Sequence, residues 1–188
     1  MRNTPATIFV VLVALLCLQP GHAGCWIQPD ASGHVTIPDG RTYIQADAFK
    51  DCTSLKSVII PDSVGTMYNN IFLGCTNLTS VTLSKKPDFQ MIRKGTFGGC
   101  TSLTSLTIPM NVRNIADDAF ANSGLQFLDL PSSVTVLGES AFLNCANLTS
   151  VSLGSVQLIQ RGTFQNCASL TNVTLPETVD YIQKYAFC

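Results

Sequence analysis

The feature that most constrains this 188-residue chain is a phenylalanine that recurs at almost constant spacing. The members of this phenylalanine column are Phe49, Phe72, Phe97, Phe120, Phe142, Phe164 and Phe187. A fixed period of this size, roughly 23 residues, is typical of proteins in which one short structural unit stacks on the next. The spacing therefore predicts a repeat protein.

Further apolar columns keep step with the phenylalanines. Leu stands six residues after Phe, Val or Leu nine residues after, and Ile or Leu eleven residues after in most units. The last two positions are two residues apart, so one short strand places both side chains on the same face. Pro often comes next and ends the strand, because it has no N–H for a ladder. In the unit that starts at Phe120, Leu125, Leu128 and Leu130 come one residue early.

A fourth apolar column lies five residues before each phenylalanine. Its members are Ile44, Met67, Ile92, Ile115, Leu137, Ile159 and Ile182. The segments that follow, such as residues 116–119, lack β-branched side chains, and we expect a helical turn there. One unit is too small to bury its apolar columns alone, so burial requires stacking against its neighbours.

Three segments carry a family resemblance: residues 48–55 (AFKDCTSL), 101–109 (TSLTSLTIP) and 148–153 (LTSVSL). They resemble BspA-like leucine-rich repeats, and the resemblance covers residues 26–188. It implies a horseshoe-like leucine-rich repeat solenoid, with one short parallel strand per repeat of roughly 22–25 residues. It also implies irregular or short helical turns on the opposite face. A further implication is a secreted or cell-surface protein that acts in adhesion or protein binding.

Residues 1–23 are typical of a secretory signal. Arg2 precedes an unbroken apolar run at positions 8–18, which is too short to span a bilayer as a helix. Gly21 and Ala23 provide small residues for cleavage after Ala23. The end of this segment also resembles a lipoprotein signal that would modify Cys25, although His22 stands where such signals have Leu.

We expect residues 24–188 to form one leucine-rich repeat domain. A degenerate first repeat covers residues 26–48, where Trp26 takes the place of the phenylalanine. Repeats then start near residues 49, 72, 97, 120, 142 and 164, and a truncated unit stands at 187–188. No second long apolar segment follows the signal, so we expect a secreted or extracellular protein, with the cell surface as the alternative location.

Composition and motifs argue against several classes of function. The net charge is −1 and only 12% of residues are charged, so nothing favours binding to nucleic acid. His34 is the only histidine outside the signal, and no P-loop, GxSxG, HExxH or dinucleotide fingerprint occurs. We therefore predict a non-enzyme with no catalytic residues, no metal and no cofactor.

A cysteine lies three residues after the phenylalanine in five units, and Ser123 replaces it in a sixth. The members are Cys52, Cys75, Cys100, Cys145 and Cys167. We interpret this column as buried free thiols, with disulfides as the alternative in an oxidising compartment. Cys25 is the best single candidate for a disulfide, with its partner unknown. Seven cysteines follow the signal, so at least one is free or pairs between chains.

The outward side chains of the strands form the candidate binding face. Most are small hydroxyl residues, against which Phe127 and Asp129 stand out as a candidate contact site. The face comprises Ile59, Thr82, Ser105, Thr107, Phe127, Asp129, Ser150, Ser152, Asn172 and Thr174. Asn77, Asn147 and Asn172 begin sequons, and they are glycosylation sites only if the chain is secreted by a eukaryote.

The leading hypothesis is a secreted or cell-surface adhesion module that binds a protein ligand through its strand face. The alternative is a structural coat or matrix element that self-associates end to end through an uncapped C-terminal end. Ice binding by the Ser and Thr rows is a third hypothesis, although Ile59, Phe127 and Asp129 interrupt those rows.

Overall fold

The computed structural model describes residues 24–188, so the predicted signal at residues 1–23 lies outside the described residues. The chain forms a solenoid of about six turns with about 23 residues per turn, which confirms the predicted fold. The described residues contain strands and no helix. In chain order the strands are β1 (His34–Thr36), β2 (Tyr43–Ile44), β3 (Ser57–Ile59), β4 (Thr66–Met67), β5 (Ser80–Thr82), β6 (Met91–Ile92), β7 (Asn114–Ile115), β8 (Phe127–Leu130), β9 (Val136–Leu137), β10 (Ser150–Leu153), β11 (Leu158–Ile159), β12 (Asn172–Thr174) and β13 (Tyr181–Ile182).

The longer strands form the row that the alternating columns predict. β1, β3 and β5 make one parallel sheet, and β8, β10 and β12 make another. Equivalent residues pair in register, as Val58 does with Val81. Val58 points into the core while Ser57 and Ile59 point outward, which is the alternation that a strand imposes.

A second row consists of strands of two residues. It forms the parallel sheets β2-β4, β6-β7-β9 and β11-β13. In every strand of this row except β13, the buried residue belongs to the apolar column five residues before the phenylalanine, as Ile44 and Met67 do. The sequence pattern does not predict this row, because a strand of two residues shows no alternation.

The phenylalanine column is the centre of the core. Phe49, Phe72, Phe97, Phe120, Phe142 and Phe164 are fully or almost fully buried. Neighbouring rings stack with centroids 5.2–5.5 Å apart and nearly parallel planes. Trp26 lies edge-on against Phe49 at 6.0 Å, on the first turn. The rings lie in the offset range that aromatic pairs favour, and they hold successive turns at a constant spacing.

The turns after each phenylalanine need a left-handed backbone two residues further on. Asp51, Asn122, Asn144 and Asn166 adopt φ of 58–59° at this position, and Gly74 and Gly99 fill it in the other repeats. Asn and Gly are the residues that tolerate this conformation best. The helical turn predicted for residues 116–119 is absent: these residues form a hydrogen-bonded turn, and the described residues contain no helix.

The longest repeat, which runs from Phe72 to Phe97, accommodates its additional residues in one loop. Phe89 in this loop is fully buried and adds a second aromatic ring to the core. Asn111 of the following turn donates to the carbonyls of Lys86 and Phe89 at 2.9 and 2.6 Å. The loop is therefore anchored to the next turn.

The row of longer strands is interrupted in the third full repeat. Residues 105–108 follow the predicted strand pattern, but they form no strand between β5 and β8. Within the described part of the chain, no backbone hydrogen bond joins these four residues to either neighbour. Leu103 and Ile108 are still buried, and the phenylalanine rings of this turn stack without a break. The interruption is therefore confined to the strand side of the solenoid.

Candidate functional site

A cleft of about 480 Å³ lies where the row of longer strands is interrupted. One wall is the unpaired segment 105–108 with Met110, and the other is formed by β8 and the proline that follows it. Gln126 N–H donates to Thr104 O at 3.0 Å at one end of the cleft, and the ladder does not continue from there. The lining residues are Ser105, Leu106, Thr107, Ile108, Met110, Phe127, Asp129 and Pro131. We call this the ladder cleft.

β8 positions the two side chains that the sequence analysis singled out. Leu128 and Leu130 point into the core, so Phe127 and Asp129 must point outward. The Phe127 side chain is 55% exposed. Among residues 24–188, the Asp129 carboxylate has neither a hydrogen-bond partner nor a cation partner. The ion pair in this part of the chain joins Lys94 and Asp118 instead. An exposed ring and an unpaired carboxylate therefore lie two residues apart on one wall.

The row of longer strands is interrupted where the segment before β8 is one residue shorter than in the other repeats. Leu125 is buried at the place where the other repeats have Leu one residue later, so β8 begins one residue sooner. Gly124 allows the shorter path, because a Cβ there would lie 2.0 Å from the Thr101 carbonyl oxygen. β8 pairs in register with β10, whereas residues 105–108 remain unpaired.

The remaining candidate residues lie along the same face. Ile59 and Thr82 are exposed on β3 and β5, and Ser150 and Ser152 are half-buried on β10. Asn172 and Thr174 are exposed on β12. Of the predicted set, the structure brings Ser105, Thr107, Phe127 and Asp129 together around the ladder cleft.

Met110, which is 66% exposed and lines the ladder cleft, is not among the predicted site residues. A signal was present. The residue after the strand-ending proline is polar in other repeats, as Asp62 and Ser132 show, and Met110 is the apolar exception. An apolar residue in a polar column of a repeat protein points to a contact surface.

The first turn holds His34 in a network of hydroxyl groups. Its Nδ1 lies 2.8 Å from Ser57 Oγ, and its Nε2 lies 3.0 Å from Thr36 Oγ1. The Asp30 carboxylate accepts from the Ser32 hydroxyl and the His34 backbone N–H, and these bonds hold the pKa of Asp30 below its usual value. These contacts fix the start of β1.

The cysteines divide into one disulfide and several free thiols. Cys25 pairs with Cys52, with Cα atoms 5.0 Å apart, so Cys52 departs from the free-thiol column in which we placed it. The Cys75, Cys100 and Cys145 thiols are free and buried, Cys167 is half-buried and Cys188 is exposed. Burial raises the pKa of the Cys75 thiol to about 12, so it is protonated at neutral pH.

The sequon asparagines and the last turn present further exposed groups. Asn77, Asn147 and Asn172 are all exposed, and the Asn77 side-chain amide donates to Thr53 O at 2.9 Å. Large apolar side chains of the last turn are also exposed, including Tyr181 and Phe187. Within residues 24–188, no helix has the length and apolar character needed to cross a bilayer.

The repeat pattern of this chain matches that of a known protein family. The sequence pattern of the BspA type leucine rich repeat region matches residues 31–149 and 86–188, with six copies. The chain belongs to the BspA-type leucine-rich repeat family. Its columns of Phe, Leu and Val are therefore the repeat of that family, and the resemblance drawn from residues 48–55, 101–109 and 148–153 is confirmed.

Solved structures agree with this assignment. The chain is similar to a leucine-rich repeat protein of T. pallidum, with 33% identity and a TM-score of 0.73 over 79% of this chain and 72% of that one. It is also similar in fold to a leucine-rich repeat protein of Bacteroides ovatus, with 24% identity and a TM-score of 0.66. That match covers 79% of this chain and 47% of the other.

A leucine rich cell surface protein of Faecalibacterium prausnitzii is a further similar structure. It shares 27% identity with a TM-score of 0.56, over 79% of this chain and 33% of that protein. The BspA-type chain described here thus spans about half and about a third of these last two proteins. A search of curated proteins found no match.

Proposed function

We propose that this BspA-type protein is a secreted or cell-surface recognition module that binds a protein ligand through its strand face, centred on the ladder cleft. The observation that carries the proposal is the pairing of exposed Phe127 with unpaired Asp129 beside a cleft. Aromatic anchors with neighbouring polar groups are the residues that dominate protein interfaces. The rest of the face, with its short hydroxyl side chains, provides a flat polar rim.

The signal-like segment and the family support the extracellular part of the proposal. Residues 1–23 have the charge, apolar run and small residues of a secretory signal. A disulfide between Cys25 and Cys52 fits an oxidising compartment. One similar solved structure is described as a cell surface protein.

The test is a binding assay with purified extracellular proteins arrayed on a surface. Each protein that binds the full chain is measured again with Phe127→Ala/Asp129→Ala. We expect a loss of affinity of at least about thirtyfold, which corresponds to about 2 kcal/mol for a dominant contact.

A matched control variant is Tyr43→Ala/Asp39→Ala. Tyr43 is 56% exposed, so it loses as much aromatic surface as Phe127, but it lies on β2 in the other row. Binding by this control should be unchanged. Partners that bind the Phe127/Asp129 variant as tightly as the wild type would refute the proposed site.

A further inference from the structure

The edge of β8 that faces the ladder cleft offers unpaired backbone groups as well as side chains. In the intact turns, Ile37 N–H donates to Ile59 O at 3.0 Å, and Ile60 N–H donates to Thr82 O at 2.9 Å. Asp129 occupies the position of Ile59 and Thr82 in the register, since all three stand in the outward column that continues through Ser152. Its carbonyl therefore turns toward the preceding turn.

In a parallel strand, the backbone N–H and C=O groups of every second residue face the same neighbouring strand. Phe127 lies two residues before Asp129, so its backbone groups also face the preceding turn. In the intact turns the preceding strand would pair with these groups, but no backbone bond links residues 105–108 to β8. The N–H and C=O groups of both residues therefore face the cleft without a backbone partner from the described chain. Such an edge is a template for a further strand.

We infer that the occupant of the ladder cleft is an extended peptide segment of the protein ligand, which adds to the open edge of β8; this inference rests on the proposed function. A strand paired with β8 would satisfy the backbone groups of Phe127 and Asp129. A small apolar molecule would leave these groups unpaired, and an unpaired polar group at a covered site is costly.

Side chains on the two walls specify the chemistry of this segment. In paired strands, residues directly opposite each other interact, and residues two apart share a face. The partner strand therefore carries an apolar side chain next to the Phe127 ring and a Lys or Arg next to the unpaired Asp129 carboxylate, two residues along. On the wall opposite β8, exposed Met110 adds apolar surface, and Ser105 and Thr107 add hydroxyl groups.

The experiment uses a phage-displayed library of short linear peptides selected on the full chain. Binders that also bind Phe127→Ala/Asp129→Ala are removed by counterselection. We expect the remaining sequences to share an apolar residue and a basic residue two positions apart. A selection that yields no binder dependent on Phe127 and Asp129 would overturn the inference.

Backbone pairing is tested with synthetic copies of the selected peptides that carry N-methyl groups at alternate residues. N-methylation removes the N–H donors and leaves every side chain in place. In one of the two alternate registers we expect binding to weaken by about tenfold or more. Equal affinity for both methylated forms and the parent peptide would show that no strand is added, and the inference would fail.

The charge contact is tested by exchange. Asp129→Lys should weaken binding of the basic peptide. Replacing the basic residue of the peptide by Glu should restore binding to this variant. Asp180→Lys serves as the matched control, because it also reverses an exposed carboxylate, in the last turn. Failure of the exchange to restore binding would overturn the assignment of a basic residue.

The two proposals fail in different ways. If whole-protein ligands need Phe127 and Asp129 but N-methylation changes no peptide affinity, the cleft binds protein without strand addition. If whole-protein ligands bind the Phe127/Asp129 variant normally, the proposed function itself fails.

Discussion

At the residue scale, the cysteine column combines a small apolar side chain with a hydrogen-bond donor. The Cys75, Cys100 and Cys145 thiols donate to the carbonyls of Phe49, Phe72 and Phe120 at 2.9–3.1 Å. Ser123 occupies this column in one repeat with a small hydroxyl, which contacts the thiol of the next repeat rather than a phenylalanine carbonyl. Its Oγ lies 3.3 Å from Cys145 Sγ.

The buried Cys75 thiol predicts a loss of stability in base. Burial raises the pKa of Cys75 from 9.0 to about 12, so the folded state holds the proton longer than the unfolded chain does. The contribution of this thiol to stability should therefore be constant below about pH 9 and fall between about pH 9 and 12, by about 1–2 kcal/mol near the middle of that range. Urea unfolding across this range tests it. Cys75→Ser, which has no thiol to ionise, should lose less, and equal slopes would contradict the explanation.

A second residue-scale prediction concerns the asparagine ladder formed by Asn122, Asn144 and Asn166. The side-chain amide of Asn144 donates to Asn122 Oδ1 at 3.0 Å, and that of Asn166 donates to Asn144 Oδ1 at 2.9 Å. Asn144→Gly and Asn144→Ala both remove these two bonds, but Ala keeps a Cβ at φ 58° and Gly does not. We expect Asn144→Ala to cost about 1 kcal/mol more than Asn144→Gly in urea unfolding. Equal losses would show that backbone conformation is not what this column selects.

At the scale of the element, the strand pattern predicted most of the architecture and failed at one repeat. Residues 105–108 (SLTI) have the same alternation as residues 150–153 (SVSL), yet only the second segment forms a strand. The pattern fixes which side chains face inward, and Ile108 is buried as expected. Pairing depends instead on neighbouring backbones, and both neighbours are altered, by the longest repeat before this segment and the shortened turn after it. No local pattern reports that.

The two matched segments give a direct measurement. Amide protons of residues 105–108 should exchange with solvent much faster than those of residues 150–153, because only the second segment has ladder bonds on both sides. Hydrogen exchange followed by mass spectrometry of the intact protein resolves the two segments. Equal protection would mean that the ladder is closed in solution and that the ladder cleft is absent.

The candidate site was predictable in part. Phe127 and Asp129 break a monotonous outward column, so their residue types alone marked them. The cleft beside them was not predictable, because it arises from an unpaired segment in the preceding turn. The pairing of Cys25 with Cys52 was also beyond the sequence, since it depends on how the degenerate first repeat packs on the second.

At the scale of the whole molecule, the stacked phenylalanine column links all the turns and stabilises the fold. Each phenylalanine ring contacts the ring of the turn before and the turn after, so the core is a continuous stack with no separate centre. A repeat protein of this kind depends on contacts between neighbouring units. The strand side tolerates an interruption because this stack holds the turns together without it.

Phe120 in the core and Phe127 on the strand face are seven residues apart but have different roles, and substitution distinguishes them. Phe120 is fully buried between Phe97 and Phe142, with ring centroids at 5.2 Å on both sides. Phe120→Ala should lower the free energy of unfolding by about 3–5 kcal/mol, because it leaves a cavity in the stack. Phe127→Ala removes an exposed ring and should change it by less than about 0.5 kcal/mol.

The pair is measured by urea unfolding and by ligand or peptide binding on the same samples. Phe127→Ala should lose binding with its stability intact, which would separate recognition on the strand side from support by the phenylalanine column. A loss of several kcal/mol in Phe127→Ala would instead assign this ring to the fold, folded over the shortened turn. In that case the exposed aromatic anchor, on which both the binding face and the added strand depend, would not exist.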